Sequence, residues 1–174
     1  GGPLDHVVVT PNPGQAPQGG QRQFTAQGYD ADGVAIPGLY AWSIASGGTV
    51  DTNGLVTAGP LAGTFTNAVS ATSGGVTGYA TLVVYAPVID HFVFDPIAAP
   101  VYAGSAFPVT IRAIDQDGNP FSNYTGLAVL TDTTGTITPA LTGSFTAGVW
   151  TGTVTIATAA NGVTIASTGG AATG

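Results

Sequence analysis

The sequence contains no cysteine, methionine, lysine or glutamate, and charged residues make up only 6% of its 174 residues. Without cysteine it can form neither a disulfide framework nor a thiolate metal site. Ordinary soluble domains carry about 25% charged residues. Disorder does not explain the low value, because disordered chains combine low hydrophobicity with high net charge, whereas 44% of this chain is hydrophobic. The surface must therefore be covered by threonine, serine, glycine and other small uncharged residues.

Basic residues are equally scarce, since Arg22 and Arg112 are the only ones besides two histidines and the formal net charge is −7. Binding to nucleic acid requires clustered lysine and arginine, so nucleic acid is not expected as a partner. No apolar run reaches the roughly 18 residues of a membrane helix, and no membrane insertion is expected. The absence of a visible signal peptide suggests a mature or excised piece.

The missing residue types also bear on the fold and its setting. Lysine, glutamate and methionine are good helix formers, while the abundant threonine and valine favour strands, so an all-β fold is predicted. Lysine and methionine are also targets of modification and oxidation. Their absence is typical of an extracellular or cell-surface wall, sheath or fibre.

Two copies of one unit follow each other in the chain. The motif DHVVVTP (Asp5–Pro11) returns 85 positions later as DHFVFDP (Asp90–Pro96). The same offset maps one turn motif onto another, namely Asp30, Asp32 and Gly33 onto Asp115, Asp117 and Gly118. The repeat predicts two tandem domains, residues 1–87 and 88–174, joined by a short linker.

Each unit has the pattern of short strands separated by turns. An apolar opening strand ends at proline, and Tyr40, Trp42 and Ile44 alternate with smaller residues, as in a half-buried strand. Asp51-Thr-Asn-Gly54 is a hairpin signal, and Trp150, Gly152, Val154 and Ile156 alternate along a further strand. Strands of this length with frequent turns predict β-sandwiches.

The first unit resembles the bacterial immunoglobulin-like group 2 domains through GTVDTNGLVTAG (Gly48–Gly59), together with YDADG, YAWSI and VSATSGGVTGYATLVV over residues 4–86. Such domains occur in invasin- and intimin-type adhesins, S-layer proteins, phage virion proteins and extracellular enzymes. The second unit is similar to related immunoglobulin-like repeats of large secreted prokaryotic proteins through FVFDPI, LTDTTGTITP and FTAGVWTGTVTI, but it lacks the DxxGLVTA motif. The resemblance implies an extended surface scaffold, spacer or adhesive module without shared catalytic residues.

The repeat also bears on the end of the sequence. VSATSGG of the first unit aligns with TIASTGG of the second at an offset of 95, which pairs Ala71 with Ala166. The first unit continues into an apolar strand, Tyr79–Tyr85, whose counterpart would begin at position 174, the last one given. We therefore predict that the second sandwich lacks its own final strand.

A sandwich without this strand exposes unpaired backbone groups and an apolar groove. The predicted open edge comprises Val163, Thr164, Ile165 and Ala166. Three ways to fill it remain open: a strand from another subunit, the continuation of a longer protein, or a fold-back of Ala98–Tyr102 or of the GGAATG tail.

If the donor lies in the same kind of chain, the strand-like N-terminal segment is the candidate, with Leu4, Val7, Val8 and Val9 as its apolar residues. The repeat also assigns this segment as the first strand of its own domain. Donation from one copy to the next would be a head-to-tail contact and would build a filament.

The two D-x-D-G turns offer carboxylates for a metal. Calcium favours oxygen-rich loops, and the candidate ligands are Asp30 and Asp32 in one turn and Asp115, Asp117 and Asn119 in the other. An EF-hand is excluded, because the glycine stands fourth and the chain has no glutamate. The alternative is a β-turn whose aspartates accept backbone hydrogen bonds. The cofactor expectation is therefore none, or calcium.

Other polar and aromatic residues also offer candidate sites. Asp5-His6 and Asp90-His91 are neighbours on strands, where successive side chains point to opposite faces, so neither pair is expected to act as a catalytic dyad. Asn123-Tyr-Thr is a glycosylation sequon. Tyr40, Trp42 and Trp150 suit either a sugar-stacking platform or, with better spacing, core packing.

These observations predict a non-enzymatic structural subunit of an extracellular filament, sheath or surface stalk, assembled by donor-strand addition between copies of the chain. The alternative is an adhesin or carbohydrate-binding accessory module of a larger secreted protein, with other surface proteins or glycans as partners.

Overall fold

The computed structural model describes residues 1–169, which contain sixteen strands and no helix. The chain divides into two compact units, Gly1–Ala86 and Pro87–Gly174. Both are β-sandwiches, so the fold class predicted from the composition and the turn spacing is confirmed. Since the described part has no helix, it also has none that could cross a membrane.

The strands of the first unit are β1 (His6–Thr10), β2 (Gly14–Pro17), β3 (Gln21–Gln23), β4 (Thr25–Tyr29), β5 (Ala35–Ile36), β6 (Ala41–Ile44), β7 (Gly48–Val50), β8 (Leu55–Ala58), β9 (Gly63–Ser73) and β10 (Val76–Tyr85). The strands of the second unit are β11 (Ile89–Phe94), β12 (Ala106–Asp115), β13 (Val129–Asp132), β14 (Ile137–Thr138), β15 (Val149–Ile156) and β16 (Ile165–Thr168).

One side of the first unit is built around the segment Gln21–Tyr29. The structure divides it at the fully buried Phe24 into β3, which pairs with β8, and β4, which pairs with β1. The result is two short sheets, β1-β4-β5 and β3-β8-β7. Gly14 lies against the Phe24 ring, and a Cβ at this glycine would stand 2.2 Å from a ring carbon.

The other side of the first unit is the four-stranded sheet β2-β10-β9-β6, with β10 in its interior. β10 runs antiparallel to β9 and parallel to β2, where Leu82–Tyr85 lie opposite Gly14–Pro17. Its inward residues Ala80, Leu82 and Val84 are at most 2% exposed. β10 therefore both links two neighbouring strands and fills the centre of the core.

The second unit places β11-β12-β15-β14 in one sheet and only β13-β16 in the other. Here β12 is unbroken and pairs with both β11 and β15. The predicted alternation along β15 is confirmed, since Trp150, Val154 and Ile156 are buried. The rings of Phe92, Tyr124 and Phe145 contact one another at centroid distances of 5.0–5.4 Å and form the aromatic part of this core.

Candidate functional site

The second unit differs from the first at the position that β10 occupies. In the first unit β10 lies between β2 and β9. In the second unit, as far as residue 169, β16 pairs only with β13, and Ala99–Tyr102, the segment 85 positions after β2, forms no strand. Within residues 1–169 no strand follows β16. In the first unit β9 and β2 flank the strand β10. Their equivalents in the second unit, β16 and Ala99–Tyr102, flank an open slot.

An apolar cavity of about 280 Å³ opens in this slot. Its walls are formed by Phe94, Ile97, Val101, Phe107, Ile156, Val163 and Ile165. Two of these residues have counterparts 85 positions earlier that are buried in the first unit, Val9 at 2% and Ala16 at 1% exposure. Their equivalents Phe94 and Val101 line the cavity, and Val101 is 42% exposed. The cavity therefore lies where β10 would cover the core.

A second hollow, of about 550 Å³, continues the slot. It shares Val101, Ile156 and Val163 with the cavity and extends along the loop that contains Thr158–Ala160. Among residues 1–169, no charged residue lines either space. We call the two together the acceptor groove.

The predicted edge residues lie along this groove, although not all of them face it. Val163 and Ile165 line the cavity, while Thr164 and Ala166 are exposed. The sequence alignment is one residue out of phase here, because Ala71 is fully buried whereas its aligned partner Ala166 points outward. A slip of one residue turns every side chain of a strand to the opposite face. Similarity among small residues does not reveal that phase.

Ser167 takes the inward position instead. It pairs with the buried Leu130 of β13, as Ala71 pairs with the inward Trp42 of β6. Its Oγ is buried and has no hydrogen-bond partner among residues 1–169. The serine therefore places a polar atom where the first unit has only a methyl group.

The candidate donor residues belong to the core of the first unit. β1 pairs along its whole length with β4, from His6 opposite Tyr29 to Thr10 opposite Thr25. Val7 and Val9 are buried, Leu4 packs against the same core, and Val8 is 40% exposed. The donor role of this segment stays a prediction, and it requires β1 to leave a complete sandwich.

The fold-back alternative concerns two segments. Ala98–Tyr102 does not fill the groove, since Val101 lines it and Tyr102 is 68% exposed. The GGAATG tail lies outside the described residues from Gly170 onward.

The candidate metal residues lie in loops that share one geometry. At Asp30 and Asp115, Oδ1 accepts hydrogen bonds from the backbone amides two and four residues ahead, over 2.8–3.0 Å. Asp51 does the same, and Asp132 accepts from the corresponding two amides with Oδ2 and Oδ1 respectively, although neither loop has a second aspartate. The glycine three residues after each aspartate has a positive φ of 70–82°. D-x-x-G is therefore a single turn motif, used four times.

These contacts bear on the calcium interpretation. One carboxylate oxygen of Asp30 and one of Asp115 close their own loops, and Asp32, Asp117 and Asn119 are exposed. Among the described residues no three histidine, cysteine or acidic side chains come together as a metal site. Because Asp51 and Asp132 form the same loop without an acid pair, the pair is not needed for the turn. Calcium binding stays a prediction.

The loops alter the acidity of two aspartates. Hydrogen bonds from the amides of Val34 and then Gly2 lower the pKa of Asp30, although burial opposes them. Burial raises the pKa of Asp132, but hydrogen bonds from Thr134, Ile137 and Thr136 outweigh it and leave the pKa lowered. Both carboxylates are therefore stabilised in their charged form.

The Asp-His pairs correct the prediction that strand alternation separates their two side chains. The side chains do meet, with Nδ1 of His6 3.0 Å from Asp5 Oδ2 and Nδ1 of His91 2.8 Å from Asp90 Oδ2. Asp5 precedes β1, and Asp90 lies at a register shift in β11, so strand alternation does not separate either pair. Both pairs are exposed and form hydrogen bonds at the protein surface.

The remaining candidates lie in different settings. Asn123 is exposed after β12, a position open to a glycan. Tyr40 and Trp42 pack against the first core, and the Tyr40 hydroxyl accepts a hydrogen bond from the Gly28 amide at 2.6 Å. Trp150 is buried in the second core. The three aromatic residues thus serve two separate cores, as their spacing predicts.

No protein-family model and no curated protein matches the chain. Among solved structures, domains 4 and 5 of the S-layer protein SbsC are 22% identical over 95% of this chain and 93% of that chain, with a TM-score of 0.40. The longer S-layer protein rSbsC(31-844) is 21% identical, with a TM-score of 0.42. FdeC, an adhesin of Escherichia coli, is 22% identical over 96% of this chain and 60% of that chain, with a TM-score of 0.38. The chain spans about a quarter of rSbsC(31-844), since it covers 26% of it. Similarity at this level assigns neither a family nor a function.

Proposed function

We propose that the chain is a non-enzymatic structural module of an extracellular or cell-surface assembly, such as a filament, sheath or stalk. In this assembly the second unit is joined to its neighbour by an inserted β-strand. The acceptor groove carries the proposal, because it combines an unpaired strand edge with an open apolar core in the place where the first unit holds β10.

Two physical properties of such a groove favour the binding of another strand. An unpaired strand edge is a template for another strand, and natural proteins blunt such edges with charge, proline or a covering segment. β16 has the sequence IAST, without a charge or proline. An inserted strand would gain backbone hydrogen bonds and bury apolar area at the same time.

The composition supports the setting. Only 6% of the residues are charged, and lysine, methionine and cysteine are absent. Such a chain offers few side chains to oxidation and disulfide exchange, both of which matter outside the cell. The exposed Asp-His pairs and the D-x-x-G loops serve as surface and turn elements, so none of them requires an enzymatic role.

Immunogold electron microscopy of the source cells, with antibodies against the chain, tests the setting. Label along a continuous surface structure is expected, and label confined to the cell interior would refute the proposal.

Hydrogen exchange tests the joint. The amides of Ile165–Thr168 should exchange at least tenfold more slowly in isolated surface material than in the purified chain, while those of β5 should be unchanged as a control. Equal exchange at β16 would reject strand insertion. Binding to a glycan array without any surface assembly would instead favour the adhesin alternative.

A further inference from the structure

We infer that the acceptor groove takes one kind of occupant: an uncharged β-strand with the alternation of β10. This strand enters antiparallel to β16 and parallel to Ala99–Tyr102. It is not part of either sandwich core of the copy that receives it. This inference rests on the proposed function, since it names the partner of the same joint.

The direction follows from the repeat. β10 runs antiparallel to β9 and parallel to β2. The equivalents of these neighbours, β16 and Ala99–Tyr102, stand on the two sides of the groove. Among residues 1–169, β16 pairs with β13 on its other edge, and neither segment has a partner strand on the side of the groove. A strand in the orientation of β10 can therefore bond on both sides, which a strand laid on the outer surface could not do.

The side chains of the occupant follow from the walls. In β10 the inward residues are Ala80, Leu82 and Val84, at alternate positions. The second unit has Phe94 where the first has Val9, and Val101 where the first has Ala16, so its walls reach further inward. Aliphatic residues no larger than those of β10 therefore suit the remaining 280 Å³, and aromatic ones do not.

The charge of the occupant follows from the same walls. No charged residue lines the groove. An inward charged side chain would be buried without a partner, which is strongly unfavourable. The inward face of the strand must therefore be uncharged as well as aliphatic.

Residues 1–169 contain no unpaired strand of this kind. Residues 170–174 are Gly-Ala-Ala-Thr-Gly, none larger than threonine. Moving β1 of a second copy into the groove would take Val7 and Val9 from a core in which they are already buried. That exchange closes one sandwich by opening another, so it adds no net apolar burial to offset the loss of the β1–β4 ladder. A separate donor strand has no such cost.

A synthetic peptide with the sequence of Val76–Tyr85 is the probe. Labelled with a fluorophore and titrated with the 174-residue chain, it should bind saturably. It should slow exchange of the amides in Ile165–Thr168 and Ala99–Tyr102 at least tenfold. The same peptide with Leu82→Asp and Val84→Asp should not bind. The absence of both effects with the parent peptide would overturn the inference.

A matched pair of chain variants locates the binding. Ile165→Asp, in the cavity wall, should abolish binding, whereas Ala166→Asp, on the outward side of the same strand, should retain it. Trp150 fluorescence and near-ultraviolet circular dichroism verify that each variant is folded. Should Ile165→Asp fail to fold, Val163→Ser takes its place, with at least a fivefold weaker affinity expected. Equal binding by the inward and outward variants would refute the location.

Other occupants give distinct results. Stronger binding by a peptide with the sequence of Gly1–Thr10 would overturn the inference in favour of β1 from a second copy. Protection of Ile165–Thr168 in the chain alone would overturn it in favour of residues 170–174. Because immunogold labelling reports on the surface role independently of the peptide, failure of the peptide to bind leaves the proposed surface role standing, and the converse also holds.

Discussion

Truncating Leu82 to alanine should leave a cavity in the core of the first unit, at the place that corresponds to the acceptor groove of the second. Leu82 is fully buried on β10 and lies between the inward residues Ala80 and Val84. Its side chain thus has the position that the acceptor groove leaves open. The perturbation tests whether a β10-type side chain contributes the stability that strand insertion requires.

The magnitude follows from core truncations. Leu→Ala at a fully buried position costs about 2–5 kcal/mol through lost transfer energy and the remaining cavity. A unit of 86 residues is stable by about 4–13 kcal/mol. We expect a loss of about 3 kcal/mol, or a fall of about 12–24 °C in Tm. Tyr79→Ala, at a 53% exposed position on the same strand, should cost less than about 0.5 kcal/mol.

The two tryptophans make the assay specific. Trp42 lies in the first unit and Trp150 in the second. Urea unfolding followed by fluorescence in a Trp150→Phe background therefore reports on the first unit alone. Leu82→Ala should lower its midpoint, and the second unit, followed in a Trp42→Phe background, should keep its own.

A loss of less than about 1 kcal/mol at Leu82 would refute the reasoning. It would mean that the inward residues of β10 contribute little, and an equivalent strand in the second unit would then have little to gain. A loss as large at Tyr79 as at Leu82 would contradict the assigned inward face.

Three further predictions concern single groups. Asp30 and Asp132 have pKa values below the ordinary 3.8 in the folded chain, so their contribution to stability is present above about pH 3.8 and is lost as the pH falls through the folded values. Profiles of stability against pH, measured under acid titration, should therefore be flatter for Asp30→Asn and Asp132→Asn than for the wild type. Superimposable profiles would contradict this. Ser167→Ala removes a buried hydroxyl that has no hydrogen-bond partner among residues 1–169, and it should raise the free energy of unfolding of the second unit by about 1 kcal/mol in urea. A destabilisation would show that the hydroxyl has a partner. Chelation of calcium should leave the Tm of the chain unchanged, because backbone amides already hold the carboxylates of Asp30 and Asp115. A calcium-dependent rise in Tm that is lost in Asp115→Asn would establish a metal site instead.

Much of the strand pattern could be predicted because local signals and tertiary contacts agree. Trp150, Val154 and Ile156 alternate in sequence and are buried on one face of β15. Asp51–Gly54 forms the turn between β7 and β8, with Gly54 at a φ of 82°. Here the hydrophobic period and the turn chemistry both derive from neighbours in sequence.

Other features depend on partners distant in sequence. The break at Phe24 arises because β3 and β4 pair with different strands, which no local pattern of Gln21–Tyr29 reveals. The pleat phase of β16 is set by its pairing with β13, so the alignment of Ala166 with Ala71 placed the wrong residue inward. The contacts of the Asp-His pairs depend on a bulge and a strand start.

Part of the candidate site could be predicted from the sequence. The repeat indicates the open edge, but the walls of the groove combine Phe94, Phe107 and Ile156 of one sheet with Val163 and Ile165 near β16. Only the packing of the two sheets brings these residues together. The D-x-x-G motif, by contrast, is visible in the sequence at all four aspartates. Because it recurs at Asp51 and Asp132 without a second aspartate, it indicates a turn.

The most direct test of the acceptor groove is to place a strand with the sequence of β10 in it. Residues 171–174 are replaced by the sequence of Val76–Tyr85, and urea unfolding is followed by Trp150 fluorescence in a Trp42→Phe background. Burial of three aliphatic side chains should raise the free energy of unfolding of the second unit by about 3 kcal/mol or more. The same extension with Leu82→Asp and Val84→Asp should give no increase. An unchanged midpoint, or an equal rise with both extensions, would contradict the account.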